Sequence, residues 1–90
     1  MEAWNIVKEY AYEYGGNSDG ILIGSVDQVE TYLRGLAFEE GKRHYLDKYV
    51  LGQISVERTE KTEVSVYLKT GEVSGTRWTG CLFPVVELVG

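Results

Sequence analysis

The stretch Trp4-Asn5-Ile6-Val7-Lys8-Glu9-Tyr10-Ala11-Tyr12-Glu13-Tyr14 decides whether the chain opens on a strand or on a helix, and much of the fold follows from the answer. Trp4, Ile6, Tyr10, Tyr12 and Tyr14 occupy even positions, broken only by Lys8, with Asn5, Glu9 and Glu13 on the odd face. That is the period-two alternation of a half-buried strand. A helix competes, because Trp4, Val7, Ala11 and Tyr14 also fall on one helical stripe and Gly15-Gly16 would end it. The alternating tyrosines favour the strand, since aromatic rings pack well on a pleated surface and are indifferent helix formers.

Outward from this stretch, Gly15-Gly16-Asn17-Ser18-Asp19-Gly20 has the composition of a flexible turn, and Ile21-Leu22-Ile23 is open to reading as a short returning strand. Ser25-Val26-Asp27-Gln28 fits the capping box, in which the serine oxygen and the glutamine side chain satisfy free backbone N–H groups reciprocally. A helix follows. Val26, Val29, Leu33 and Leu36 form its apolar stripe, and Glu30 and Arg34 are spaced for an i,i+4 ion pair on the wet side.

Gly41 interrupts the pattern, which resumes from Lys42 to Val50 with Tyr45, Leu46, Tyr49 and Val50 on one side, as a second helix or a kinked continuation. From Gln53 the period becomes two. Ile54 and Val56, then Val64, Val66 and Leu68, flank Thr59-Glu60-Lys61-Thr62 as a hairpin. Lys69-Thr70-Gly71-Glu72 is a second turn, which Ser74-Gly75-Thr76 extends, and Arg77 to Val89 forms a last extended segment. Pro84 cannot donate to a ladder, which places that segment at a sheet edge or on a bulge. The fold class is α+β: an antiparallel sheet of about four strands with one or two helices on one face, in the order β-α-(α)-β-β-β.

Ninety residues accommodate one domain, spanning 1–90. Cys81 is the single cysteine, so no intramolecular disulfide can form, and small secreted folds are disulfide-rich; an intracellular setting, the cytoplasm of a host cell, is expected. The N-terminus has no basic stretch leading into an apolar one, and no apolar run reaches the about 18 residues of a membrane span. Fourteen acidic against nine basic residues give a net charge of −5. Such a field repels polyanions, which excludes duplex nucleic acid as the natural ligand and favours a basic partner surface.

The candidate chemistry is sparse. Glu40, His44 and Asp47 would share a face if one helix carried all three, but zinc needs three or four ligands, and ion pairing of Glu40 with His44 and of Glu39 with Arg43 explains the same residues. Cys81 with His44 has no nucleophile signature around it. Gly15, Gly16 and Gly20 match neither phosphate-loop pattern. No catalytic residue, metal or cofactor is assigned.

Seven tyrosines and two tryptophans exceed what a core of this size needs, and such residues are enriched at binding hot spots. Candidate partner-binding residues are Tyr10, Tyr12, Tyr14, Asp19, Glu57, Glu60, Glu63 and Trp78. The three glutamates surround the hairpin tip, where they could meet a basic groove or simply keep the edge soluble. A chain running from Met1 to Gly90, acidic, with one cysteine and no catalytic set, resembles in type the small inhibitors carried by phages and mobile elements, such as anti-CRISPR proteins. The resemblance implies a protein that occludes a functional site, for instance the nucleic-acid-binding surface of a nuclease or defence complex, without contacting nucleic acid itself. The alternative expectation is a self-associating protein that uses an exposed sheet edge to form a homodimer.

Overall fold

The alternation that opens the chain forms a strand. In a computed structural model, which describes residues 2–10, 17–59 and 62–83, β1 spans Glu2–Tyr10, with Trp4 and Ile6 buried and Glu9 and Tyr10 exposed. Tyr12 and Tyr14, with which the alternation continues, lie outside the described residues, as do Glu60 and Pro84. After β1 come β2 (Asn17–Gly24), α1 (Val26–Gly41), α2 (Asp47–Val50), a 3₁₀ turn at Leu51–Gln53, β3 (Ile54–Thr59), β4 (Glu63–Lys69) and β5 (Gly75–Leu82). The fold is α+β, built on an antiparallel sheet ordered β2-β1-β5-β4-β3.

The sheet has five strands rather than about four, because the stretch read as turn from Asn17 to Gly20 joins Ile21-Leu22-Ile23 in β2. Polar residues and glycine are poor strand formers, but pairing with β1 overrides propensity. The register shifts between Asn5 and Val7, where Asp19 and Gly20 together stand opposite Ile6. Gly20 has φ of 109°, a conformation that suits glycine and forms the bulge.

The last segment also differs from expectation. It is the central strand, not an edge, pairing with β1 on one side and β4 on the other. The described ladder runs to Leu82, and Pro84, on which the expectation of an edge or bulge rested, lies outside the described residues. Gly75 and Thr76 belong to this strand, and the turn closes ahead of them through Thr70 N–H to Ser74 C=O at 3.0 Å.

The helix begins where the capping box places it. Gln28 N–H donates to Ser25 Oγ at 3.3 Å and Ser25 N–H donates to Gln28 Oε1 at 2.8 Å. Val29, Leu33 and Ala37 are fully buried against the sheet, with Val26 and Leu36 packed beside them. The sheet side of this core is Trp4, Ile6, Val64, Val66, Leu68 and Trp78. Each such side chain removed from water contributes about 1.5–3 kcal/mol, so this one layer is the main stabilising feature. The chain after Gly41 is not a continuous apolar helix: α2 has four residues, Val50 is buried, and Leu46 and Tyr49 face solvent.

Candidate protein-interaction surface

Among the described residues α1 covers one face of the sheet, and strand alternation and register define what the other presents. Ile23, Ala3 and Phe83 lie in one row across β2, β1 and the end of β5, tied by Phe83 N–H to Ala3 C=O at 2.9 Å. The next row is Ile21, Asn5, Cys81, Glu63 and Thr59; then come Ser18, Val7, Thr79, Ser65 and Glu57. Glu9, Arg77, Tyr67 and Ser55 form the fourth. The face is therefore apolar at the β2 corner, hydroxyl-rich in the middle, and charged towards β3 and β4.

The apolar corner is open to solvent: Ile21 is 66% exposed, Ile23 64% and Phe83 41%. Further along the face the polar groups are tied to one another. Ser65 and Thr79 hydroxyls share a hydrogen bond at 3.0 Å, and Arg77 stacks on the Tyr67 ring at 5.6 Å. Glu57 and Glu63 are exposed on this face and make no ion pair among the described residues. Most acid on the helix side is compensated instead: Arg58 Nη2 meets Asp27 at 2.7 Å, Arg58 Nε meets Glu30 at 2.9 Å, and Arg34 meets Glu30 at 3.1 Å.

Sequence-derived candidates divide accordingly. Glu57 and Glu63 share the open face, and Asp19 sits in the bulge of β2. Trp78 is a correction: it is 3% exposed and forms part of the core, because the central position of β5 turns it under the helix layer. Tyr10 is 41% exposed at the end of the helix-side face, where Lys8 Nζ lies 5.1 Å from its ring and 5.7 Å from that of Trp78. Lys8 is thus accommodated at an inward position, its ammonium held by the ring faces and its pKa raised by the Tyr10 hydroxyl. Tyr12, Tyr14 and Glu60 fall outside the described residues, so the structure places none of them at the surface or in the core.

Of the residues weighed for chemistry, Glu40 and His44 stay near each other while Asp47 falls on a separate element. α1 ends at Gly41, so His44 stands in the following turn and Asp47 opens α2. His44 Nε2 comes within 3.9 Å of Glu40, as expected, but Glu39 pairs with Lys42 at 3.0 Å and Arg43 with Glu40 at 3.6 Å. The end of the helix shortens the i,i+4 geometry to i,i+3. Among the described residues no group of three or more potential ligands gathers around a metal position. Cys81 lies on the open sheet face, where burial and then the charges of Glu63 and Glu9 push its thiol pKa up, the reverse of what activates a nucleophile. A shallow cavity of about 260 Å³ beside β3 is lined by Gly52, Gln53, Ile54, Ser55, Tyr67 and Lys69.

Sequence reasoning missed Ile21, Ile23 and Phe83 as surface residues. The available signal was Gly20-Ile21-Leu22-Ile23-Gly24, in which two isoleucines flank one leucine: on an edge strand over a single helix layer, only Leu22 can be inward. Leu46, Tyr49 and Leu51 make a second exposed apolar set in the connection after α1. Among the described residues no helix is long and apolar enough to cross a membrane. Comparison with protein-family models, curated proteins and solved structures finds no match for this chain.

Proposed function

We propose that this chain is a non-enzymatic protein-binding module whose contact surface is the uncovered face of its sheet. The observation that carries this reading is the exposed corner formed by Ile21 and Ile23 of β2 and by Phe83 just past β5, with Ala3 of β1 between them. Solitary exposed apolar side chains are ordinary, whereas a contiguous set bordered by polar residues is the usual anatomy of an interface. Glu57 and Glu63 on the same face, in a molecule of charge −5, make the complementary partner surface a basic one. Occlusion of such a surface on a nuclease or defence complex, the mode implied by the resemblance to phage-borne inhibitors, is the specific form of this proposal.

The test compares capture of partners from host lysate by the native chain, by an Ile23→Asp/Phe83→Asp variant, and by a Glu57→Lys/Glu63→Lys variant. The expected result is a saturable partner lost with the first variant and weakened by the second, at unchanged far-ultraviolet circular dichroism. A partner retained by both folded variants, or no saturable partner, overturns the reading.

A further inference from the structure

Among the described residues β2 and β3 are the two edges of the sheet, and they are guarded differently. β3 carries Glu57 and Arg58 within six residues, the kind of charge that discourages edge-to-edge pairing. β2 carries one charge, Asp19, in eight residues, and no lysine or proline. Its bulge at Asp19-Gly20 bends the first part of the strand, leaving the run after it as the regular edge.

With the bulge glycine at its start, that run is a palindrome: Gly20-Ile21-Leu22-Ile23-Gly24 reads the same in both directions about Leu22. In an antiparallel ladder centred on Leu22, each residue faces its mirror position. Leu22 meets Leu22, each Ile21 meets the opposite Ile23, and each Gly20 meets a Gly24. An isologous two-fold contact pairs residue i with j and j with i, and in this register both such pairs on the open side join isoleucine to isoleucine. We infer that β2 pairs with β2 of a second copy of this chain through Gly20–Gly24, joining two sheets into one.

Electrostatics agree with that register. Two molecules of charge −5 repel, and the contact uses a section of edge without charge. The packing agrees as well. Ile21 and Ile23 of both protomers would line up on the open side as two cross-strand apolar pairs, with Ala3 and Phe83 flanking them in each copy. Self-pairing merges two exposed corners into one strip rather than hiding them. In this respect the inference rests on reading that corner as a contact surface.

The test is sedimentation equilibrium of the purified chain from micromolar to millimolar concentration, with two double variants. Ile21→Lys/Ile23→Lys places like charges opposite one another, whereas Ile21→Lys/Ile23→Glu places each lysine opposite a glutamate in the inferred register. The expected result is a mass rising towards twice the 10.1 kDa of one chain for the native protein, one chain mass for the first variant, and recovered dimer for the second. Leu22→Cys in a Cys81→Ser background should oxidise to a covalent dimer, because directly opposed positions bring the Cα atoms to about 4.5–5.5 Å. A native chain that stays monomeric at millimolar concentration overturns the inference, as does a dimer that survives the lysine pair or is not recovered by the lysine–glutamate pair. Binding to a different protein would be lost with both double variants, so failure of self-pairing and failure of the partner-binding reading give different patterns.

Discussion

Gly80 of β5 lies directly under Val29 of α1, and the missing side chain at Gly80 lets the helix settle on the middle of the sheet. A Cβ at that position would stand 2.8 Å from Val29 Cγ1 and 3.4 Å from Ile6 Cδ1. Gly80→Ala is therefore expected to destabilise the fold by about 1–3 kcal/mol, as overpacking does in a close-packed core. Denaturant unfolding measures it. Val29→Ala should relieve part of the cost, so the double variant is expected to be less destabilised than the sum of the singles.

The Trp4 indole N–H donates to Gly24 C=O at 3.0 Å in a buried setting, joining β1 to the last residue of β2. Trp4→Phe keeps an aromatic ring but removes the donor. A loss of about 1–3 kcal/mol is expected, read from the shift of the denaturation midpoint. Because Trp4 and Trp78 are both buried, native fluorescence should be blue-shifted and resist iodide quenching, with both properties lost on unfolding.

The capping box gives a graded expectation. Ser25→Ala removes the acceptor of Gln28 N–H and should cost about 1 kcal/mol, while Ser25→Gly should cost only a few tenths of that figure. Thermal unfolding of the two variants side by side distinguishes capping from a general intolerance of change at this junction.

Arg58 clips the edge strand β3 to α1 by reaching both Asp27 and Glu30. All three groups retain contact with solvent, so salt should screen the interaction. Arg58→Met is expected to lower stability in dilute buffer and to approach the native value in concentrated salt. A double-mutant cycle with Asp27→Asn at both ionic strengths reads the coupling.

Cys81 should react slowly with thiol reagents at neutral pH, because burial and the nearby Glu63 and Glu9 hold its pKa above the ordinary 9.0. The unfolded chain loses this proton first as pH rises. The contribution to stability is thus present below pH 9.0 and declines as pH climbs through the folded value. Reaction rate against pH, in native buffer and in denaturant, checks both statements, and Cys81→Ser should flatten the alkaline decline.

Several elements were legible locally because their causes are local. The Ser25–Gln28 reciprocal bonds, the Glu30–Arg34 pair and the stripe Val29–Leu33 lie within a few residues along the chain. The hairpin of β3 and β4 shows the same economy, since alternation at Ile54–Val56 and Val64–Val66–Leu68 sets both its faces. The candidate surface was legible only in part. Glu57 and Glu63 reach the open face, while Trp78 goes to the core, because the face a tryptophan occupies depends on which strands surround it.

The α+β class, the strand character from Trp4 to Tyr10 and the helix start at Ser25 were all legible in the chain alone, because they follow from periodicity and capping chemistry. Tertiary structure alone decided that β5 is central, that β2 is a full strand and an edge, and that Ile21, Ile23 and Phe83 share an uncovered corner. The reason is distance along the chain. β1 finds β5 about seventy positions away, and that pairing answers to the total burial of both strands under one helix, which no local window of sequence contains.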